Sequence, residues 1–237
     1  MRTALIAGAS GTLGQAISRE LLARGYQLGL HYHTRADACA ALAASPGCKT
    51  YQADFRDPAA VQNLAAAFVK DFSRVDALVW AAGVVKDAPL LTLKEDDLRG
   101  VLDVDLKAPF LLLKALARQF LKQKSGAVVL LSSHGALAGR AGGSAYCMAH
   151  AGLLSLMKSL AREWGSSGIR VNSVVPPFVP ESGMGRAATP EFIEAAKAKR
   201  ALKVDTNGSA ACARLVADAL DNPAISGQVL SADSRVL

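Results

Sequence analysis

The sequence predicts one α/β domain, residues 1–237, doubly wound around a parallel sheet of seven strands. Three observations predict it. Short apolar runs alternate with helical patterns from one end of the chain to the other. The runs are continuous rather than alternating, as strands covered by helices on both faces require. The first run ends in a glycine turn, Gly8-Ala9-Ser10-Gly11-Thr12-Leu13-Gly14, that opens a helix. A chain of 237 residues that is 51% hydrophobic can bury the core such a domain needs.

The strand candidates, in order, are Thr3–Ala7, Gln27–His31, Lys49–Gln52, Ala77–Ala81, Ala127–Leu131, Arg170–Val175 and Gln228–Leu230. After the first, Leu13, Ile17, Leu21 and Leu22 share one helical face, and Gly25 supplies the stop. Pro58 opens a later helix at its first turn, with Asp57 as its cap and Val61, Leu64, Ala65 and Phe68 as its buried stripe. The long segment 95–123 contains Pro109, which predicts a bend or break. Residues 145–164 read as another long helix. The segment Pro176–Thr189 is rich in Pro, Gly and Ser and follows the sixth strand, where such a sheet places its ligand crevice. It reads as the root of a substrate lid spanning about 176–205.

Composition narrows the function. The net charge is +7, but the basic residues are dispersed and aromatics make up only 5%, so the chain lacks the stacking platforms of a nucleic-acid binder. An anionic cofactor and an acidic carrier or substrate account for the charge better. No run approaches the ~20 apolar residues of a membrane helix. The N-terminal stretch reads as a strand entering a turn rather than as a leader, which sets the expected location as cytoplasmic. Cys39, Cys48, Cys147 and Cys212 are scattered without metal-ligand spacing, so reduced thiols and no metal are expected. Cys147 reads as a small buried filler.

The glycine turn has a chemical use. Glycines let backbone approach a phosphate, and N–H groups at the helix N-terminus then hold a pyrophosphate. The second strand runs into Leu30-His31-Tyr32-His33-Thr34-Arg35. An NAD site needs an acidic residue there for the ribose 2′-hydroxyl, and none occurs before Asp37. Arg35, with His33 and Thr34, suits a 2′-phosphate instead, so the cofactor read from the residues is NADP(H).

Tyr146 lies 13 residues after Ser133 and runs straight into the helix containing Ala151-Gly152-Leu153-Leu154. This stretch resembles the active-site segment of the short-chain dehydrogenase/reductase family, whose pattern is Tyr-x-x-x-Lys. Here the fourth residue after the tyrosine is His150. Further markers align. Asp54 matches the family's adenine-binding aspartate. Trp80-Ala81-Ala82-Gly83 stands at the usual Asn-Asn-Ala-Gly, keeping Ala82 and Gly83 for backbone passage beside the cofactor. Residues Arg170 to Pro176 are close to Arg-Val-Asn-x-x-x-Pro-Gly, with Pro177 for the glycine. The turn departs from the common spacing because Thr12 takes the middle glycine's place, giving Gly-x-x-Gly-x-x-Gly, the form of the family's extended members. The resemblance covers essentially the whole chain.

The resemblance implies a Rossmann-type fold and a proton-relay tetrad. Tyr146 would exchange a proton with the substrate oxygen and Ser133 would orient the carbonyl. The family's lysine maps to His150 and its helix asparagine to Asp105. A carboxylate at Asp105 favours an imidazolium at His150, so an Asp–water–His relay would stand in for Asn–water–Lys. His134 and Arg140 are further candidates, as acid or base and as anion binder.

The function expected is NADPH-dependent reduction of a β-ketoacyl thioester, similar to 3-oxoacyl-carrier-protein reductases. An acidic acyl carrier protein is the expected partner, with a homodimer or homotetramer as the assembly. The rival is a catalytically impaired subunit that binds nucleotide or completes a mixed oligomer. A cofactor-free lyase of the halohydrin-dehalogenase kind is disfavoured, because those proteins lose the glycine turn that Gly8, Gly11 and Gly14 keep here.

Overall fold

Seven parallel strands form one sheet in the order β3-β2-β1-β4-β5-β6-β7. The structure is a computed structural model that describes residues 1–183, 185–202 and 208–235. The strands are β1 (Arg2–Ala7), β2 (Tyr26–Tyr32), β3 (Cys48–Gln52), β4 (Ala77–Trp80), β5 (Gly126–Leu131), β6 (Ile169–Val175) and β7 (Val229–Ser231). All seven overlap the predicted runs, with ends shifted by a residue or two. The strand order reverses between β1 and β4, which opens the ligand crevice at their carboxyl ends.

Both faces of the sheet are covered. Side chains alternate along β1, so Leu5 and Ala7 join one core and Ala4 and Ile6 the other. The first core is completed by α3 (Pro58–Phe72), α5 (Ala108–Gln123) and α7 (Ser144–Trp164), and the second by α1 (Thr12–Ala23), α2 (Asp37–Ala43) and α9 (Gly208–Asp221). Each fully buried Leu, Ile or Phe contributes about 1.5–3 kcal/mol. In α3, the Asp57 side chain accepts from the Ala59 N–H at 2.8 Å, Pro58 opens the first turn, and Val61, Leu64, Ala65 and Phe68 are buried as the periodicity predicts. After α1, Gly25 takes a φ of 79°, the left-handed turn that ends a helix.

The expected break at Pro109 takes a different form. Helix α4 (Glu95–Leu102) runs through a π turn, Asp103–Lys107, directly into α5. Pro109 has no N–H to offer the Asp105 carbonyl four residues back. The chain accommodates this by widening: the Ala108 N–H bonds the Asp103 carbonyl five residues back. The axis therefore continues, and the π turn bulges at Asp105.

Two short helices complete the crevice side, α6 (Gly135–Ala138) and α8 (Pro190–Ala198). The segment expected to form a lid is described in part. Its helix α8 is capped by Thr189, whose hydroxyl accepts from the Phe192 N–H at 3.2 Å. Arg200 donates to the Phe178 carbonyl at 3.2 Å, and the Ala201 N–H bonds the Ser234 carbonyl at 2.9 Å. Residue 184 and the lid's end, 203–205, lie outside the described residues. Among the described residues, no helix is long and apolar enough to cross a membrane.

Candidate functional site

The nucleotide end is built from backbone. Gly8 has a φ of 87°, and a Cβ there would lie 2.6 Å from the Ala82 nitrogen. A Cβ on Gly14 would lie 2.1 Å from the Gly8 carbonyl oxygen. The turn after β1 can take this path only as glycine, and it leaves a cradle with the N-terminus of α1 at its edge. Thr12 is the first residue of α1, and Leu13 packs partly into the core. Gly11 precedes them as the N-cap with extended backbone.

A buried histidine fixes the turn. The Gly8 N–H donates to His31 Nδ1 at 3.0 Å, and His31 Nε2 lies 3.1 Å from the Ala53 carbonyl oxygen. The two bonds together demand the neutral ring protonated at Nε2. Burial agrees, holding the His31 pKa down at about 4. The ring also stacks on Phe55, with centroids 3.9 Å apart. This latch lies within the His-Tyr-His-Thr-Arg stretch, where strand patterning alone marks His31 only as part of β2.

The charged residues predicted for the cofactor gather around this turn. The Arg35 guanidinium donates to the Ser10 carbonyl at 2.6 Å, so the arginine closes over the glycine turn. His33 and Thr34 are exposed beside it. Asp54 is engaged by Arg56, with contacts of 2.7 to 3.1 Å, and by His33 Nε2 at 3.6 Å. The Arg56 hydrogen bonds hold the Asp54 carboxyl down at about 2. Arg56 had no place in the sequence reading. Its neighbour spacing, two residues after Asp54, was the available signal.

The 82–84 backbone joins the two ends of the crevice. Ala82 lies under Gly8, and Gly83 leads to Val84, whose N–H donates to Asp105 Oδ1 at 2.9 Å. Trp80, at the position of the first family asparagine, is fully buried against Phe55 at 4.5 Å. Its indole N–H has no hydrogen-bond partner among the described residues. Pro176 follows β6 directly.

The chemical end brings four side chains together from two elements and a strand end. Ser133 follows β5, Tyr146 and His150 lie on α7, and Asp105 sits in the π turn. The Tyr146 and His150 rings are 4.1 Å apart at 46°. His150 Nε2 lies 3.4 Å from Asp105 Oδ2, an ion-pair approach without a formed hydrogen bond. Ser132 anchors the helix, its hydroxyl donating to the His150 carbonyl at 3.0 Å. Asp105 is 0% exposed and His150 4%. Burial raises the Asp105 pKa, and His150 pulls it back down in part.

Tyr146 is pushed up to about 12, by burial first and then by the Asp105 charge, while Ser133 and Arg140 act the other way. Both His150 nitrogens and Asp105 Oδ2 are buried without a hydrogen-bond partner among the described residues. Buried polar atoms in such a state fit a bound group with hydroxyls to share, as a nicotinamide ribose has.

Three other candidates sort differently. Burial raises the Cys147 thiol, which fits a filler, and its sulfur would lie 2.8 Å from a Cβ on Gly135. His134 precedes α6, with its pKa lowered by burial. Arg140 is not free for an anion: Asp87 holds it at 2.5 and 2.7 Å.

Residues 8–234 match the family model described as Enoyl-(Acyl carrier protein) reductase. The chain is 35% identical over 183 residues to a 3-oxoacyl-(acyl-carrier-protein) reductase of Synechocystis sp., covering 75% of this chain and 74% of that protein. It is 34% identical to the 3-oxoacyl-(acyl-carrier-protein) reductase FabG of Staphylococcus aureus over the same shares of each. It is 36% identical over 185 residues to nodulation protein G of a Rhizobium species, covering 77% of this chain and 75% of that one.

Proposed function

The chain belongs to the short-chain dehydrogenase/reductase family of oxidoreductases, and on that premise we propose that it is an NADPH-dependent ketoreductase acting on a β-ketoacyl thioester. The observation that carries the reading is the gathering of Ser133 and Tyr146 at the carboxyl end of the sheet, where the Ser133 hydroxyl acts on the phenol and lowers its pKa against the push of burial. Two hydroxyls so placed can donate to one carbonyl oxygen and hold it for reduction.

NADPH, when bound, supplies the hydride. The glycine turn 8–14 would hold the pyrophosphate on backbone N–H groups. Arg35, with His33 and Thr34, would meet the 2′-phosphate, and Asp54 would border the adenine. Ala82, Gly83 and Pro176 line the path between the halves. Tyr146, kept protonated by a pKa of about 12, would give its proton to the substrate oxygen. A phenol so hard to ionise serves reduction better than oxidation, which needs the phenolate as base. His150 would take the ribose contact that lysine makes in the family pattern, and Asp105, 3.4 Å away, would continue the relay. An acyl carrier protein would present the thioester, with Lys122 and Lys124 as its contacts. A homodimer or homotetramer would cover the exposed Phe110 of α5 and Met148 of α7.

A second reading has its own observation. Asp105 raises the tyrosine pKa, the opposite of what the family's lysine does for its phenol, which suits a nucleotide-binding subunit with impaired chemistry. NADPH and NADH titrations, followed by NADPH oxidation with a panel of β-ketoacyl and enoyl thioesters, separate the two. The ketoreductase reading expects tighter NADPH than NADH binding and turnover of the β-keto thioesters. Tight NADPH binding without turnover, restored by His150→Lys, would sink it in favour of the impaired subunit.

A further inference from the structure

The cation that bears on Tyr146 comes from the turn before α7. The Arg140 guanidinium carbon lies 5.9 Å from the centroid of the Tyr146 ring and 5.8 Å from that of Phe192 in α8. Asp87 holds this guanidinium from behind through two hydrogen bonds of 2.5 and 2.7 Å, the bidentate geometry that fixes its plane. The Ala88 N–H bonds the Gly142 carbonyl at 2.9 Å, tying the same two loops together. Gly143 leaves the space: a Cβ there would come within 3.0 Å of the guanidinium. The Arg140 side chain is 27% exposed, so its field is screened less than that of a free surface arginine.

The other groups facing Tyr146 are Ser133 from the end of β5, Cys147 and His150 on its own helix, and Asp105 from the π turn. The Asp105 charge opposes a phenolate. A cation near the ring favours one.

We propose that Arg140, clamped by Asp87, is a positioning residue that places beside Tyr146 the fixed positive charge for which the family pattern uses the residue four after the tyrosine. The proposal rests on the reading of Tyr146 as proton donor. It makes the Asp87–Arg140 pair part of the reaction machinery rather than a loop staple, because it sets how readily the phenol gives and regains its proton.

A fluorotyrosine placed at position 146 and read by fluorine NMR reports that phenol alone and needs no substrate. In Arg140→Gln the titration midpoint should rise by about one pH unit, about tenfold in phenolate fraction. In Arg140→Lys, which keeps the charge, it should stay within a few tenths of a unit. NADPH titration of each variant checks that the fold survives. Added salt gives a reading without any variant: the midpoint should rise, since salt screens the partly exposed guanidinium more than the buried Asp105. An unmoved midpoint in Arg140→Gln, an equal rise in both variants, or no response to salt would overturn the proposal. A protein that reduces no thioester would sink the ketoreductase reading and leave the titration result standing.

Discussion

The nucleotide end and the chemical end of the crevice hold their parts by opposite means. At the nucleotide end, backbone does the shaping and the polar groups are partnered: Gly8 N–H on His31, the Ser10 carbonyl under Arg35, Asp54 on Arg56. At the chemical end, side chains from separate elements do the shaping. Asp105 Oδ2 and both His150 nitrogens are buried without hydrogen-bond partners among the described residues. Fully partnered groups specify one rigid arrangement, whereas unpartnered buried ones carry a cost that a ligand can relieve. The first end is built to hold, and the second to be completed by what it binds.

The sharpest way to break this contrast is Gly14→Ala. Its Cβ would sit 2.1 Å from the Gly8 carbonyl, against backbone that cannot move aside cheaply. The expected cost is about 3 kcal/mol of stability, at the upper end for overpacking, with NADPH affinity lower by ~100-fold in calorimetric titration. Unchanged affinity would mean that the turn does not hold the cofactor.

The His31 latch is tested by acid. Its folded pKa of about 4 lies below the ordinary 6.5. The unfolded chain therefore binds the extra proton first, and the stability contribution, whole above 6.5, is lost as pH falls toward 4. The loss amounts to about 3 kcal/mol. In denaturant melts across this window, His31→Gln should be less stable at neutral pH and should show a flatter acid limb. A wild-type profile that does not fall between these values contradicts the latch.

Asp105→Asn sharpens the contrast from the other end with the smallest effect. Burial raises the Asp105 pKa, so the folded protein binds that proton more readily than the unfolded chain, and stability declines as pH rises through the folded pKa. An amide keeps the Val84 contact without the charge. It should stabilise the protein at neutral pH by on the order of 1 kcal/mol, the scale of a buried polar penalty, with the gain vanishing in acid. A gain independent of pH would show that the charge is not its cause.

The same division explains how much could be read from the sequence. Where one residue dictates local backbone, reading was direct. Asp57 and Pro58 marked the start of α3, its stripe of Val61, Leu64, Ala65 and Phe68 marked its buried face, and Gly25 marked the end of α1. Helix α2 escaped because it has seven residues and buries only Cys39 and Leu42, too few for a period to declare itself. Pro109 predicted an interruption correctly in chemistry but not in shape, because a π turn absorbs a missing N–H without ending the helix. The tetrad positions could be proposed only through the spacing around Tyr146 and the family resemblance. The Arg140–Asp87 clamp left no trace, since its partners stand 53 residues apart and neither sits in a patterned segment.

On the reading proposed above, Tyr146 is the proton donor for NADPH-dependent reduction. The direct measurement is the rate of β-ketoacyl thioester reduction by wild type and Tyr146→Phe, each with NADPH binding measured alongside. Loss of a positioned general acid should lower kcat by about 10²–10⁴-fold and leave NADPH affinity within a factor of about two. Equal rates in the two proteins would contradict the claim.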